Sequence, residues 1–273
     1  MRRLLIRPGA IGDCILSLPA LKFLRADYME IWVPRPVLPL IRFADRVRAI
    51  ADTGLDCIGV RDVPKPLLDE LHSFDEIVSW YGSNREEFRA AVRAENLPFR
   101  FLRALPPENS QEHAADFFLR EAGGSGIAIP RIPCVCEPRE FAVVHPFSGA
   151  ARKNWPLERF RELAARLSVP VRWCAGPEEE LADAVRFDDL YELARWLAEA
   201  RLYVGNDSGI THLAAAVGTP VIAIFGPTDP AIWAPRGENV RIVRGDLAGI
   251  TVEEVLGAES AIGWKPSNVA SRN

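Results

Sequence analysis

The sequence lacks the features that mark membrane and secreted proteins. Its most apolar stretch, residues 213–225, is too short to span a bilayer and is interrupted by a Gly-Thr-Pro triplet. The amino terminus begins Met-Arg-Arg as signal peptides do, but Arg7 and Asp13 interrupt the apolar core that a signal needs. We therefore predict a cytoplasmic protein without a transmembrane helix.

The sequence also lacks a cysteine metal motif and a net positive charge. The five cysteines are scattered, and Cys134 and Cys136, the only close pair, have no second pair to complete a zinc site. They indicate reduced thiols. The net charge of -4 excludes the basic surplus typical of nucleic-acid binding, so we predict no nucleic-acid partner. Residues 1–50 nevertheless carry nine Lys/Arg against four acids, which suits an anionic acceptor, an anionic membrane surface or merely solvated helix faces.

Short apolar runs alternate with helical patterns along the chain, which is typical of βαβ units and parallel sheets. The strands are predicted at Leu4–Arg7, Met29–Val33, Val47–Ala51, Glu76–Ser79, Phe141–His145, Val171–Cys174, Leu202–Val204, Val221–Phe225 and Val240–Val243. The helices are predicted at Asp13–Arg25, Pro36–Phe43, Arg85–Ala94, Glu112–Glu121, Leu157–Leu167, Leu190–Ala200, Gly209–Val217 and Val252–Ala258, with a kink or restart at Pro19.

The segment 123–138 is rich in glycine and proline and predicts an interdomain linker. We therefore expect an α/β fold of two Rossmann-like domains, residues 1–138 and 139–273, with parallel sheets facing a central cleft. Ligands in such sheets bind beyond the carboxyl ends of the strands. The polar tail 263–273 is expected to fray or to fold back on the first domain.

The first strand leads into Gly9-Ala-Ile-Gly12-Asp13, where two glycines permit a tight turn and Asp13 starts a helix. Asp13 is either a helix cap or a catalytic carboxylate. The dinucleotide fingerprint G-x-G-x-x-G is absent.

The loop after Phe141–His145 contains Ser148, Arg152 and Lys153. A hydroxyl and two cations suit a diphosphate, although an ordinary polar loop is the alternative. After Leu202–Val204, an Asn-Asp-Ser-Gly turn with Asp207, Ser208 and Gly209 opens a helix whose N–H groups and dipole favour an anion.

His212 in the first turn of that helix is placed to reach the same phosphate. Glu178, after Val171–Cys174, is a candidate for the ribose hydroxyls, and the Gly-Pro-Thr-Asp turn at 226–229 is a candidate wall of the base or ribose pocket.

Three segments (12–25, 145–160 and 205–230) resemble the signature segments of the family-9 glycosyltransferases, the bacterial heptosyltransferases of lipopolysaccharide-core synthesis. The resemblance implies a GT-B fold, transfer of a heptose from an ADP-sugar donor with inversion, and no metal or other cofactor. By position, Asp13 resembles the catalytic base, and the donor ligands are Gly12, Ser148, Lys153, Glu178, Asp207, Ser208, Gly209 and His212. The domain 1–138 is then acceptor-side, and 139–273 binds the nucleotide sugar.

The chemistry of the residues agrees with this resemblance. A carboxylate can take the acceptor's proton, and fixed donors can stabilise the leaving ADP. Metal-dependent transferases commonly carry an Asp-x-Asp pair, which is absent. A lipopolysaccharide-core or other anionic glycan acceptor is expected, with peripheral contact at the inner membrane face. A nucleotide-sugar epimerase, a non-catalytic nucleotide-sugar sensor and an NAD-dependent oxidoreductase remain alternatives.

Overall fold

The computed structural model describes residues 1–262 and has an α/β fold. The chain divides into two compact units, Met1–Pro130 and Arg131–Asn273. The division comes before the predicted boundary at 138, because the intervening segment packs on the second unit. The Ile132 N–H donates to the Ala216 carbonyl at 2.9 Å, and the Cys136 thiol donates to the Ala198 carbonyl at 3.2 Å.

The first unit contains a five-stranded parallel sheet in the order β3-β2-β1-β4-β5. Its strands are β1 (Arg2–Ile6), β2 (Tyr28–Val33), β3 (Arg46–Ala49), β4 (Glu76–Ser79) and β5 (Phe99–Phe101). Its helices are α1 (Ile11–Leu16), α2 (Leu18–Phe23), α3 (Lys65–His72), α4 (Glu86–Ala94) and α5 (Ala114–Glu121). The strand order is that of a Rossmann sheet and changes direction between β1 and β4.

The second unit contains a parallel sheet in the order β10-β9-β8-β6-β7. Its strands are β6 (Arg139–His145), β7 (Val171–Trp173), β8 (Ala200–Asn206), β9 (Val221–Phe225) and β10 (Val240–Arg244). Its helices are α6 (Leu157–Arg166), α7 (Leu190–Glu199), α8 (Gly209–Ala216), α9 (Pro230–Trp233) and α10 (Val252–Ser260). Here the strand order changes direction between β6 and β8, as in flavodoxin-like sheets.

The central strands form because they consist almost entirely of apolar side chains that both faces of a parallel sheet can bury. All five residues of β9 are buried, as are Leu4, Leu5 and Ile6 of β1. The surrounding helices are amphipathic; α6, for example, buries Phe160 and Leu163. This packing fixes the carboxyl ends of the strands, where the candidate site residues begin.

Proline explains two local features of the first unit. Pro19 lies at the start of α2, so the predicted restart is confirmed: α1 and α2 are separate six-residue helices. The helix predicted at Pro36–Phe43 is instead a 3-10 helix, Arg35–Leu40, with Pro39 inside it. A proline at that position cannot donate the hydrogen bond that an α-helix requires. The elements α3, β5 and α9 were not predicted.

The predicted fraying or folding back of 263–273 lies outside the described residues. Among residues 1–262, no helix is both long enough and apolar enough to cross a membrane.

Candidate functional site

The turn between β1 and α1 places Asp13 at the point where the first sheet changes direction. Gly9 adopts a φ of +125°, a conformation that L side chains rarely adopt, and a Cβ there would lie 3.1 Å from the Asp13 side chain. Gly12 precedes Asp13 in the first turn of α1 and is half-buried. The Asp13 carboxylate accepts a hydrogen bond from the Ala10 N–H at 3.1 Å and is itself only partly buried. Asp13 therefore caps the helix and keeps carboxylate surface exposed.

Arg7, the residue after β1, supports this turn through hydrogen bonds. It is 1% exposed, and burial lowers the pKa of its guanidinium. Its N–H groups donate to Ser17 Oγ at 2.6 Å, to the Ala104 carbonyl at 3.3 Å and to the Asp13 carbonyl at 3.4 Å. The guanidinium carbon also lies 4.5 Å from the centre of the Phe118 ring. Arg7 thus fixes the backbone that carries Asp13.

In the second unit, Asn206 joins the ends of the loop that follows β6. Asn206 is fully buried at the end of β8. Its Nδ2 donates to the Pro146 carbonyl at 2.8 Å, and its Oδ1 accepts from the Trp155 N–H at 2.9 Å. One side chain therefore clamps residues 146–155 across the point where the second sheet changes direction, which is where open α/β sheets bind ligands.

The clamped loop brings Lys153 to the end of β8. Lys153 Nζ lies 2.7 Å from Oδ2 of Asp207, which is buried. Ser148 faces its own loop, because its hydroxyl lies 2.7 Å from Asn154 Oδ1 and 2.9 Å from the Ala150 carbonyl. The structure therefore brings Lys153 and Asp207 together, whereas Ser148 is engaged in shaping the loop.

Helix α8 begins directly after Asp207. Ser208 is its N-cap and accepts a hydrogen bond from the Thr211 N–H at 3.3 Å. The Thr211 hydroxyl lies 3.2 Å from the buried Tyr203 hydroxyl, so the cap is tied to β8. Gly209 opens the helix and is half-buried, and His212 is 6% exposed. Hydrogen bonds therefore hold the start of the helix, and Gly209 at its first position is partly exposed.

Three consecutive glutamates follow β7; Glu179 is partly buried, whereas Glu178 and Glu180 are exposed. Glu179 Oε2 lies 3.1 Å from His145 Nε2 and accepts from the Gly176 N–H at 2.6 Å. Burial alone would raise the pKa of Glu179, but the hydrogen bonds from His145 and Gly176 outweigh it and hold the pKa below its ordinary value. Glu179 thus ties the end of β7 to the end of β6.

Several arginines of the amino-terminal surplus have partners within the first unit. Arg35 pairs with Asp52 at 2.6 Å, and Arg48 pairs with Glu70 at 2.6 Å. The arginines of this surplus are therefore not all available to an anionic partner.

Among residues 1–262, no three His, Cys, Asp or Glu side chains are grouped as a bound metal ion would require.

Comparison with known proteins identifies the family of this chain. The model of glycosyltransferase family 9, the heptosyltransferases, matches residues 108–255, more than half of the chain. The chain belongs to glycosyltransferase family 9. Lipopolysaccharide heptosyltransferase 1 of Escherichia coli O18:K1:H7 is 33% identical over an alignment of 134 residues, and the alignment covers 42% of this chain and 41% of that protein. The chain thus aligns with about two fifths of the length of this curated relative.

Two solved structures share the fold over almost the whole chain. E. coli ADP-heptose lipopolysaccharide heptosyltransferase II has a TM-score of 0.75 at 17% identity, covering 96% of this chain and 98% of that one. E. coli heptosyltransferase WaaC, solved with ADP, has a TM-score of 0.70 at 20% identity, covering 96% of this chain and 100% of that one. The predicted GT-B fold of two Rossmann-like units is confirmed.

Three supporting residues were missed by sequence reasoning: Arg7, Asn206 and Glu179. Asn206 stands in the predicted Asn-Asp-Ser-Gly turn, but its partners Pro146 and Trp155 lie 60 and 51 residues away. Glu179 adjoins the predicted Glu178. The burial of Arg7 could have been predicted, because Arg7 directly follows the apolar run of β1.

Proposed function

We propose that this protein transfers a sugar, a heptose, from an ADP-sugar to a lipopolysaccharide-core or other anionic glycan acceptor, with inversion and without a metal ion. Family membership supports the reaction class. The observation that carries the proposal is the Asn206 clamp, which holds Lys153 beside the start of α8. A cation and a helix N-terminus at one strand end suit a diphosphate.

The donor would place its diphosphate at Ser208 and Gly209, where the N–H groups of the first helical turn lack intrahelical acceptors. Lys153 Nζ, now 2.7 Å from Asp207, would also contact a phosphate oxygen. Because Lys153 and the helix start are fixed before the donor binds, they would stabilise the negative charge that develops on departing ADP without reorganising.

Asp13 would act as the general base. The acceptor hydroxyl oxygen bonds to the anomeric carbon as the carbon–oxygen bond to ADP breaks, and the hydroxyl proton passes to the Asp13 carboxylate. Attack from the face opposite the leaving group inverts the anomeric configuration. The exposed part of the Asp13 carboxylate suits this role, and the Ala10 N–H at 3.1 Å helps to keep it oriented.

Incubation with ADP-heptose tests the reaction class. A transferase should release ADP and free sugar slowly without acceptor, and faster when a lipopolysaccharide-core acceptor is added. An epimerised donor would instead indicate an epimerase, and an unchanged but bound donor would indicate a sensor. Either outcome, or hydride transfer with NAD, would contradict the proposal.

A second part of the proposal concerns the membrane surface. Lys22, Phe23, Arg25 and Arg42 are exposed on the first unit. The Arg25 guanidinium donates to the Phe43 carbonyl at 2.8 Å, and Lys22 Nζ lies 5.3 Å from the Phe43 ring centre, so the cations share one surface. This surface would attract anionic lipid headgroups. Sedimentation with anionic and neutral vesicles tests it; equal binding to both would contradict it.

A further inference from the structure

Three buried hydroxyl groups meet at the start of α8. They belong to Tyr203 of β8, to Ser208 and to Thr211, and each residue is at most 9% exposed. The Thr211 hydroxyl lies 3.2 Å from the Tyr203 hydroxyl and 3.1 Å from Ser208 Oγ. It also donates to the carbonyl oxygen of Asn206, the residue whose side chain clamps the loop 146–155. The three hydroxyls therefore connect the start of the helix to the clamp.

A glycine makes room for the Tyr203 ring at the end of β8. A Cβ on Gly205 would lie 2.6 Å from the Tyr203 hydroxyl oxygen and 2.9 Å from the ring. A larger residue at position 205 would therefore displace the Tyr203 hydroxyl from Thr211. Burial raises the pKa of Tyr203, so the phenol keeps its proton and can donate a hydrogen bond.

The number of protons in this network fixes the direction of each hydrogen bond. The Asn206 carbonyl can only accept, so it takes the single hydroxyl proton of Thr211. The two lone pairs of the Thr211 oxygen then accept from the Tyr203 and Ser208 hydroxyls. Ser208 Oγ in turn accepts from the Thr211 N–H at 3.3 Å. The one proton of the Ser208 hydroxyl is therefore donated inside the network and not towards a ligand.

The donors that remain at the start of α8 are backbone N–H groups. The Thr211 N–H is capped by Ser208 Oγ, and the His212 N–H donates to the Ser208 carbonyl at 3.3 Å. Within the part of the chain that the structure describes, the N–H groups of Gly209 and Ile210 have no acceptor, and both residues are partly exposed. A phosphate oxygen at the proposed diphosphate site could accept from these two groups.

We propose that Tyr203 and Thr211 are positioning residues for the diphosphate of the donor. They hold the start of α8 through Ser208, and the backbone N–H groups of Gly209 and Ile210 bind the phosphates. Because these groups are fixed before the donor binds, they would stabilise the charge on departing ADP without reorganising. The proposal rests on the proposed function and gives Ser208 a supporting role, since its hydroxyl makes no contact with the donor.

The test compares Thr211→Val and Thr211→Ser with wild type by calorimetric titration with ADP. Valine keeps the shape of threonine but removes the hydroxyl, so the helix start loses its link to the clamp. ADP binding should weaken about 10-fold, the equivalent of one hydrogen bond to a charged group. Serine keeps the hydroxyl and should restore most of the affinity. Tyr203→Phe removes one of the two donors to Thr211 and should weaken ADP binding less than Thr211→Val.

Thr219→Val is the matched control, because Thr219 is buried in the same unit and its hydroxyl donates to the Leu197 carbonyl at 2.7 Å. Both valine variants should lower the melting temperature, whereas only Thr211→Val should weaken ADP binding. Normal ADP affinity in Thr211→Val, or an equal loss in Thr219→Val, would overturn the proposal, because the network would then only stabilise the fold. If Thr211→Val does not fold, unchanged ADP affinity in Tyr203→Phe overturns it.

A double-variant cycle tests the role of Ser208. Because Ser208 acts through Thr211, the double variant Ser208→Ala/Thr211→Val should bind ADP no more weakly than the weaker of the two single variants. Losses that add would overturn the proposal, because Ser208 would then contact the phosphate directly. If wild type binds no ADP, the proposed function itself fails, and the wild-type titration shows this before any variant is compared.

Discussion

The two candidate turns differ in how much of their polar surface the fold already occupies. In the first unit, the Asp13 carboxylate accepts one hydrogen bond among the described residues, from the Ala10 N–H, and its other support acts through the backbone that Arg7 holds. In the second unit, Asn206 and the Lys153–Asp207 pair form an interlocked network around the start of α8.

This difference matches two kinds of chemistry. A general base needs a carboxylate with an oxygen left to accept a proton, and the first turn leaves Asp13 that capacity. An anion site needs donors fixed before the anion arrives, and the clamped loop of the second unit supplies them. The comparison therefore predicts that substitutions in the first turn lower the transfer rate. Substitutions in the second turn should instead lower ADP affinity and the free energy of unfolding.

The largest effect is expected for Asp13→Asn. The amide keeps the size of the side chain and an oxygen to accept from Ala10, so the fold and ADP affinity should survive. The transfer rate should fall by roughly 10²–10⁴-fold, the usual contribution of a positioned general base. Melting temperature, ADP affinity and rate are measured on the same variant. A lower melting temperature with a normal rate would show that Asp13 is only a helix cap.

Next is Asn206→Ala, which removes both hydrogen bonds of the clamp and leaves the buried Trp155 N–H without its partner. The free energy of unfolding should fall by about 2–4 kcal/mol, as each buried group left unpaired costs about 1–3 kcal/mol. ADP affinity should fall as well, since Lys153 loses its fixed position. Asn239→Ala is the control, because Asn239 is exposed in the same unit. A stable Asn206→Ala protein with normal ADP affinity would contradict the clamp.

The sequence predicts features that depend on neighbouring residues better than contacts between residues far apart along the chain. The bounds of Glu76–Ser79 and Val221–Phe225 were predicted to the residue, because a short apolar run that ends at polar residues, proline or glycine is a local signal. The Asn206 clamp was not, because its contacts span 51 and 60 residues and depend on how β6 and β8 align.

The run of three glutamates after β7, residues 178–180, shows the same limit at short range. Composition places a carboxylate after the strand, but the path of the turn at Gly176 decides that Glu179 contacts His145 while Glu178 points to solvent. The proposed roles of Asp13, Lys153 and Glu178 in the reaction stay predictions.

A smaller effect is expected for Lys153→Ala. ADP binding should weaken by about 1–3 kcal/mol, the range for losing a charge-assisted hydrogen bond. Part of this loss would come from Asp207, which would be left buried without its cation. The double variant Lys153→Ala/Asp207→Asn separates the two contributions by calorimetry. Lys65→Ala, at an exposed lysine of the first unit, controls for the change in net charge. Unchanged ADP affinity in the single variant would remove Lys153 from the donor site.

Glu179→Gln should have a still smaller effect, visible in its pH dependence. Because the folded-state pKa of Glu179 is lowered, its stabilisation is present above the ordinary glutamate pKa and is lost as pH falls through the folded-state value. The wild-type advantage in free energy of unfolding should therefore be largest near neutral pH and shrink in acid. Urea titrations of both proteins across that range measure it; a difference that is constant with pH would contradict the role of the carboxylate charge.

The smallest expected effect is that of a chelator. The charge on departing ADP would be stabilised by Lys153 and the start of α8, and the sequence contains no Asp-x-Asp pair. Transfer in excess EDTA should therefore proceed at the rate of the untreated protein. A rate that falls with EDTA and returns with Mg²⁺ or Mn²⁺ would show that a metal ion supplies this charge. Applying the same titration to Lys153→Ala sharpens the comparison: if the lysine performs the task of a metal ion, added Mg²⁺ should raise the residual rate of this variant and leave wild type unchanged.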